Sequence, residues 1–86
     1  MLGIEFPVED LDAWNDGNKI VEEIMGQDAD SAGTGFGLRD MQYYTGDQAV
    51  AESWKQKADQ IRRALKIRFK GSEEVHTSVS EYEEEE

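Results

Sequence analysis

Hydrophobic and polar residues alternate at the start of the chain, in residues 2–6, "LGIEF". Side chains of a strand point to its two faces in turn, so an alternation of this kind predicts a half-buried β-strand. Pro7 removes a backbone donor and ends the strand. The apolar positions of this strand are Leu2, Ile4 and Phe6.

A helical pattern follows in residues 8–26, "VEDLDAWNDGNKIVEEIMG". Acids crowd its first turn, where the helix dipole favours negative charge, and Gly26 suits a C-terminal cap. Gly17 costs a helix about 1 kcal/mol relative to alanine, so we also consider a helix that breaks there or begins only at Asp16. The apolar positions at helical spacing are Leu11, Trp14, Val21, Ile24 and Met25.

Glycines mark the middle of the chain, in "SAGTGFGLRD", residues 31–40. An alternating, aromatic-containing run follows them and predicts a strand over 37–45, with the polar segment 27–37 as a weak hairpin partner. The glycines then serve a bend or bulge that needs positive φ, and this turn sets the register of the strand. The three glycines are Gly33, Gly35 and Gly37.

The second half of the chain begins with the clearest helical stripe, in residues 46–66, where Asp47 is a good N-cap. Alternation then predicts a strand over 65–69, "LKIRF", ended by Gly71, and an additional edge strand in 74–82, "EVHTSVSEY". The apolar stripe of this second helix contains Val50, Ala51, Trp54, Ala58, Ile61 and Leu65.

The element order predicts a small α+β domain. It resembles the ferredoxin-like βαββαβ arrangement, a two-layer sandwich with two helices on one face of an antiparallel sheet. The second strand is the weak element, because "QDADSAG" has little strand propensity, and a three-stranded βαβαβ unit with a long loop is the alternative. We expect one domain over 1–82, with Trp14 and Trp54 in its core, and a disordered acidic tail over 83–86.

The charge of the chain is strongly negative and uneven. The formal net charge of the 86 residues is −11, with −8 in residues 1–46, +4 in 47–70 and −7 in 71–86. Such a field repels nucleic acid and anionic membranes and favours basic partners, although acidity also keeps a small protein soluble. Cysteine is absent, which excludes disulfides and thiolate zinc sites. With neither a signal peptide nor a membrane span in the sequence, we expect a cytoplasmic protein.

Candidate chemistry is sparse. The glycine spacing is G-x-G-x-G before a strand, whereas a dinucleotide fingerprint needs G-x-G-x-x-G opening a helix. The Asp28–Gly33 loop matches part of a calcium loop, but Ala32 and Arg39 stand where ligands are needed, so only weak divalent-ion binding is expected. His76 is the single histidine, and the acids show no apolar pocket that would tune a carboxylate. We therefore expect no enzyme, no cofactor and no metal centre.

Neighbouring residues in the third predicted strand point to opposite faces of the sheet. Arg39 is expected either to be held by an acid of the first helix or to be exposed for an anionic partner group. One residue of the pair Tyr43 and Tyr44 should be exposed if only one face is covered. An uncovered face carrying Met41 and Tyr43, or Leu38 and Tyr44, would offer a contact surface.

Two functions remain open. The first is a non-enzymatic module that binds another protein, or itself as a homodimer, through its sheet face. The alternative is an acidic nucleic-acid mimic that inhibits a nuclease or another DNA-handling protein. Neither function involves direct binding to nucleic acid or to a membrane. The candidate contact residues are Arg39, Met41, Tyr43 and Tyr44 for the module, and Asp12, Asp16, Glu22 and Glu23 for the mimic.

Overall fold

The computed structural model of the protein describes residues 1–80, so the predicted tail at 83–86 lies outside the described residues. The strands form one antiparallel sheet in the spatial order β2-β3-β1-β4. This confirms the predicted α+β class, and the element order is consistent with the ferredoxin-like arrangement. The elements are β1 (Leu2–Pro7), α1 (Leu11–Met25), β2 (Ser31–Gly35), β3 (Leu38–Tyr43), α2 (Gln48–Arg68) and β4 (His76–Val79).

The core lies between one face of the sheet and the two helices. Side chains of β1 alternate between buried and half-buried, as the opening pattern of the sequence predicts. Trp54 is buried, but Trp14 is only half-buried and lies beneath the β2–β3 hairpin instead of in the core. The largest fully buried side chains are Tyr43, Phe6, Leu2, Ile4, Met41, Ile61, Leu65 and Val21.

The segment after the second apolar stripe is helical, so the predicted strand over 65–69 is wrong. Helix α2 continues to Arg68, with Leu65 buried on its inner side and Ile67 82% exposed on its outer side. Lys66 and Arg68 lie in the last turn, where positive charge interacts favourably with the helix dipole. The strand that was predicted as an addition to the sheet is therefore its fourth strand, β4, and residues 1–80 contain no fifth.

Helix α1 runs without a break through Gly17, contrary to the shorter helix that we considered. The Asp10 carboxylate accepts a hydrogen bond from the Ala13 amide at 2.8 Å, and Gly26 closes the helix with a φ of 74°. A Cβ added at Gly17 would overlap the ring of Phe6. Gly17 is therefore the residue that leaves space for the Phe6 ring against α1.

Candidate functional site

The glycine-rich segment forms a two-residue hairpin turn. Gly35 pairs with Leu38 across the ladder, which leaves Phe36 and Gly37 between the strands. Both turn residues have positive φ, 55° and 75°, as in the type I′ turns whose twist matches that of the flanking strands. The predicted turn is confirmed for Gly37, whereas Gly33 and Gly35 lie in β2 without positive φ, contrary to the prediction. The weak hairpin partner is confirmed, since Ser31–Gly35 form β2. We refer to Phe36 and Gly37 as the hairpin tip.

Phe36 is an unexpected residue for this position. Type I′ turns favour Asn, Asp or Gly, and a left-handed backbone costs other L-residues about 1–2 kcal/mol. Burial of the side chain does not offset this cost, because Phe36 is completely exposed, with a relative exposure of 106%. Phe36 therefore combines a strained backbone with an exposed apolar side chain.

A network of polar and aromatic contacts holds the hairpin against α1. The Arg39 guanidinium lies 4.8 Å from the centroid of the Trp14 ring and donates to Asn18 Oδ1 at 3.0 Å and Thr34 Oγ1 at 3.1 Å. Trp14 Nε1 also donates to Thr34 Oγ1, at 3.2 Å. None of the ion pairs within residues 1–80 includes Arg39, so the prediction of an acidic partner is wrong. An amide, a hydroxyl and an indole take the place of the acid, and Arg39 braces the hairpin.

The connection between β1 and α1 is hydrogen-bonded to the hairpin tip. The Val8 amide donates to the Gly37 carbonyl at 2.8 Å, which ties this connection to the hairpin tip. Leu11 begins α1 three residues later and is 71% exposed. Leu11 is therefore a second exposed apolar side chain, close in sequence to the residue that is tied to the hairpin tip.

The candidate residues of the third strand are divided between two environments. Met41 and Tyr43 are buried under the helices, with relative exposures of 1% and 0%, so the folded protein does not offer them to a partner. Tyr44 is 52% exposed, and Leu38 lies on the uncovered face of the sheet. One tyrosine of the pair is therefore exposed, as predicted, and it is Tyr44.

The uncovered face of the sheet is polar. Tyr44 Oη donates to Gln42 Oε1 at 2.6 Å, and Gln42 Nε2 donates to Asp40 Oδ2 at 3.3 Å. Glu5 lies directly opposite Asp40 across the β1–β3 ladder, and His76 lies opposite Glu5 on the other side. Like charges that face each other across a ladder repel, so this face has a locally negative centre.

The acids of α1 are partly neutralised. Asp12, Asp16 and Glu23 are exposed, and Glu22 is half-buried. Arg68 Nε, at the end of α2, donates to Asp16 Oδ2 at 2.7 Å. The helix surface that would imitate a nucleic-acid backbone therefore includes one ion pair.

The segment Asp28–Gly33 does not wrap into a calcium loop. Its last residues, from Ser31, are extended in β2, and the Asp30 carboxylate accepts a hydrogen bond from the Tyr44 amide at 2.8 Å. Calcium loops curl so that six or more oxygens converge on the ion. Within residues 1–80, no group of three or more acidic or histidine side chains is placed to hold a metal ion.

This chain matches no protein-family model, no curated protein and no solved structure. The candidate site is therefore defined by the chemistry and geometry of residues 1–80. Neither helix in this part of the chain is long and apolar enough to cross a membrane.

Tyr43 links the core to an acidic corner of the domain. Its hydroxyl donates to the carbonyl of Gln27 at 2.8 Å. Burial raises the pKa of Tyr43 to about 12, and the nearby carboxylates of Glu22, Asp28 and Asp30 add to the increase. The neutral phenol is the form that the fold stabilises.

This raised pKa predicts a loss of stability in alkaline solution. In the unfolded chain Tyr43 loses its proton near pH 10, whereas in the folded protein it does so near pH 12. Unfolding releases a proton between these values, so the free energy of unfolding falls as pH rises, by at most about 1.4 kcal/mol per pH unit. Denaturant unfolding of the wild type and of Tyr43→Phe up to pH 12 measures this. The stability advantage of the wild type should shrink across this range, and a constant difference would contradict the prediction.

Proposed function

We propose that this chain is a small non-enzymatic protein-binding module whose contact centres on the hairpin tip. The observation that supports this is Phe36, which has a fully exposed aromatic side chain and a left-handed backbone. Aromatic residues that fill a pocket of the partner supply much of the energy of protein interfaces. In this proposal the α+β frame presents Phe36 to such a pocket.

The bracing of the hairpin supports this role. Arg39, Trp14 and Thr34 hold the strands of the hairpin against α1, and the Val8 amide holds the turn itself. Binding through a segment that is already ordered avoids the entropy loss of fixing a flexible loop. Arg39 therefore contributes to binding through the position of the hairpin.

The charge around the hairpin favours a basic partner. Residues 1–46, which include the hairpin, carry a net charge of −8. A field of this sign steers a positively charged surface towards the module and speeds association. We therefore propose a partner protein with an apolar pocket that has basic groups at its rim.

Face-to-face pairing of two copies is the weaker proposal. The uncovered sheet face has the opposed carboxylates Glu5 and Asp40 at its centre, and a second copy would bring two more. Like charges in such an interface are unfavourable. Leu38 and the half-exposed Tyr44 are the large side chains there that could offset the repulsion, and the Tyr44 hydroxyl is already bonded to Gln42.

Replacing Phe36 with asparagine tests the proposal. Because asparagine adopts the left-handed backbone readily, Phe36→Asn should raise the free energy of unfolding by about 1 kcal/mol. The same variant should lose a partner that the immobilised wild type retains from a lysate of its source cells at high salt. Denaturant unfolding and salt-gradient elution measure the two effects. Ile67→Gln is the matched control, since Ile67 is 82% exposed on the outer side of α2, and it should keep the partner.

If Phe36→Asn retains the partner as strongly as the wild type does, the hairpin tip is not the contact. If that partner elutes at low salt, the nucleic-acid mimic is favoured, because salt screens the electrostatic contacts on which a mimic depends. Neutralising the acids of α1 should then abolish retention. Those residues are Asp12, Asp16, Glu22 and Glu23.

A further inference from the structure

The strand β2 is an unprotected edge of the sheet. Among residues 1–80 it pairs with β3 alone, and all five of its residues, Ser31–Gly35, are exposed. Natural proteins commonly protect such edges with lysine, proline or a covering segment. The sequence "SAGTG" has neither a charge nor a proline.

The free edge carries backbone groups that are ready to pair. Gly35 and Leu38 flank the two-residue turn, so they form a hydrogen-bonded pair, and such pairs recur at every second position of an antiparallel ladder. The N–H and C=O groups of Ala32 and Thr34, at the positions between, therefore point away from β3. Another strand could accept and donate hydrogen bonds there.

Two glycines in β2, Gly33 and Gly35, have open space where a side chain would be. A Cβ added at Gly33 or Gly35 would meet no atom within 4 Å, and neither residue has a positive φ. Glycine within a strand weakens it, and often marks a place where another chain approaches closely. Neither packing nor backbone geometry within the described residues requires glycine at these positions.

Because glycine has no side chain, Gly33 and Gly35 leave the side chains of β3 behind them accessible from the free edge of β2. Asp40 lies opposite Gly33, with Glu5 opposite Asp40 in turn, and Leu38 lies opposite Gly35. Neighbouring strands are about 4.8 Å apart, so a long side chain on an added strand could cross a glycine and reach the residue behind it. A basic group would meet carboxylates over Gly33, and an apolar group would meet Leu38 over Gly35.

We propose that β2 accepts an extended segment of the partner as an additional strand, with a lysine or arginine over Gly33 and an apolar residue over Gly35. The inference rests on the proposed function and specifies how the partner of the hairpin binds. Addition of a strand is an established mode of peptide recognition, in which main-chain bonds give affinity and alternate side chains give specificity. A second copy of this chain is the poorer occupant, because its own β2 offers no basic residue to Asp40.

A randomised library of displayed peptides, selected on the full-length protein, tests the proposal. Enriched peptides should place an apolar residue and a lysine or arginine two positions apart, the spacing of one face of a strand. The most enriched peptide is then synthesised, and fluorescence anisotropy gives its affinity for the wild type and the variants. Enrichment without this alternation would overturn the proposal.

The decisive comparison is Ala32→Pro against Ala32→Val. Proline removes an N–H that points to the free edge and leaves the β2–β3 bonds intact, whereas valine keeps the N–H. We expect Ala32→Val to bind the peptide like the wild type, and Ala32→Pro to bind about tenfold more weakly, as for one lost hydrogen bond. Gly33→Val should weaken binding at least as much, because its side chain blocks the path to Asp40. Circular dichroism establishes that each variant is folded.

The results separate this inference from the proposed function. Peptide binding that falls in Phe36→Asn but not in Ala32→Pro or Gly33→Val would overturn strand addition and leave the hairpin tip as the contact. Binding that none of the three changes would overturn both. If the wild type dimerises as its concentration rises and Ala32→Pro does not, the edge of β2 binds a second copy of this chain. That result would overturn the proposal of a partner segment with a lysine or arginine.

Discussion

Tyr43→Glu is expected to unfold the protein at neutral pH. Tyr43 is completely buried, its ring packs edge-on against Trp54 with centroids 6.4 Å apart, and its hydroxyl is bonded to the Gln27 carbonyl. Loss of a large buried ring costs about 3–5 kcal/mol, and a buried carboxylate without a partner costs several more. The carboxylates of Glu22 and Asp28 near this site add repulsion. Because the whole stability of a small domain is about 5–15 kcal/mol, we expect little folded protein.

Tyr44→Glu is the matched control for this experiment. Tyr44 follows Tyr43 in the chain but is 52% exposed, so its replacement should change the free energy of unfolding by less than about 1 kcal/mol. Far-ultraviolet circular dichroism and denaturant unfolding distinguish the two variants. A Tyr43→Glu protein with the wild-type unfolding midpoint would contradict the buried position of this side chain. In a partner-binding experiment, loss of binding by a Tyr43 variant would therefore reflect loss of the fold and not loss of a contact with the partner.

Gly17→Ala should destabilise the protein by about 2–3 kcal/mol, as is usual for extra atoms in a filled core. The direction is opposite to that of an exposed helix position, where alanine is favoured over glycine by about 1 kcal/mol. The new methyl group would overlap the ring of Phe6. That ring cannot easily move, because it is fully buried and stacks on Phe69 with centroids 5.6 Å apart.

Denaturant unfolding measures this effect, with Gly46→Ala as the control. A Cβ at Gly46 meets no atom within 4 Å, so this variant should have nearly wild-type stability. Combining Gly17→Ala with Phe6→Leu should cost less than the sum of the two single changes, because the smaller side chain gives room to the methyl group. A Gly17→Ala protein as stable as the wild type would show that the Phe6 ring does not need the space that Gly17 leaves.

Local patterns in the sequence predicted most of the elements. The alternation in residues 2–6 gave the correct buried face of β1, and the apolar stripes gave both helices, since these signals depend only on backbone periodicity. The turn was predictable in the same way, because few residues other than glycine adopt positive φ without strain. The unusual position of Phe36 was also predictable from the sequence, because Phe36 is a bulky residue next to Gly37 in a predicted turn.

The remaining features depend on contacts between residues that are far apart in the chain. Apolar alternation over 65–69 fits a strand and the end of a helix equally well, and β4 is the strand that completes the sheet beside β1. Gly17 could be explained only by the ring of Phe6, which comes from another element.

The sequence by itself thus determined β1, the apolar stripes of the two helices, the hairpin turn and the uneven charge of this protein. Only the tertiary structure decided which face of β3 is covered, and hence that Tyr43 is buried and Tyr44 exposed. It also decided that Arg39 braces a hairpin, and that the edge of β2 is open. The physical reason is that periodicity arises from the geometry of one segment, whereas burial, partners and free edges arise from how the segments pack.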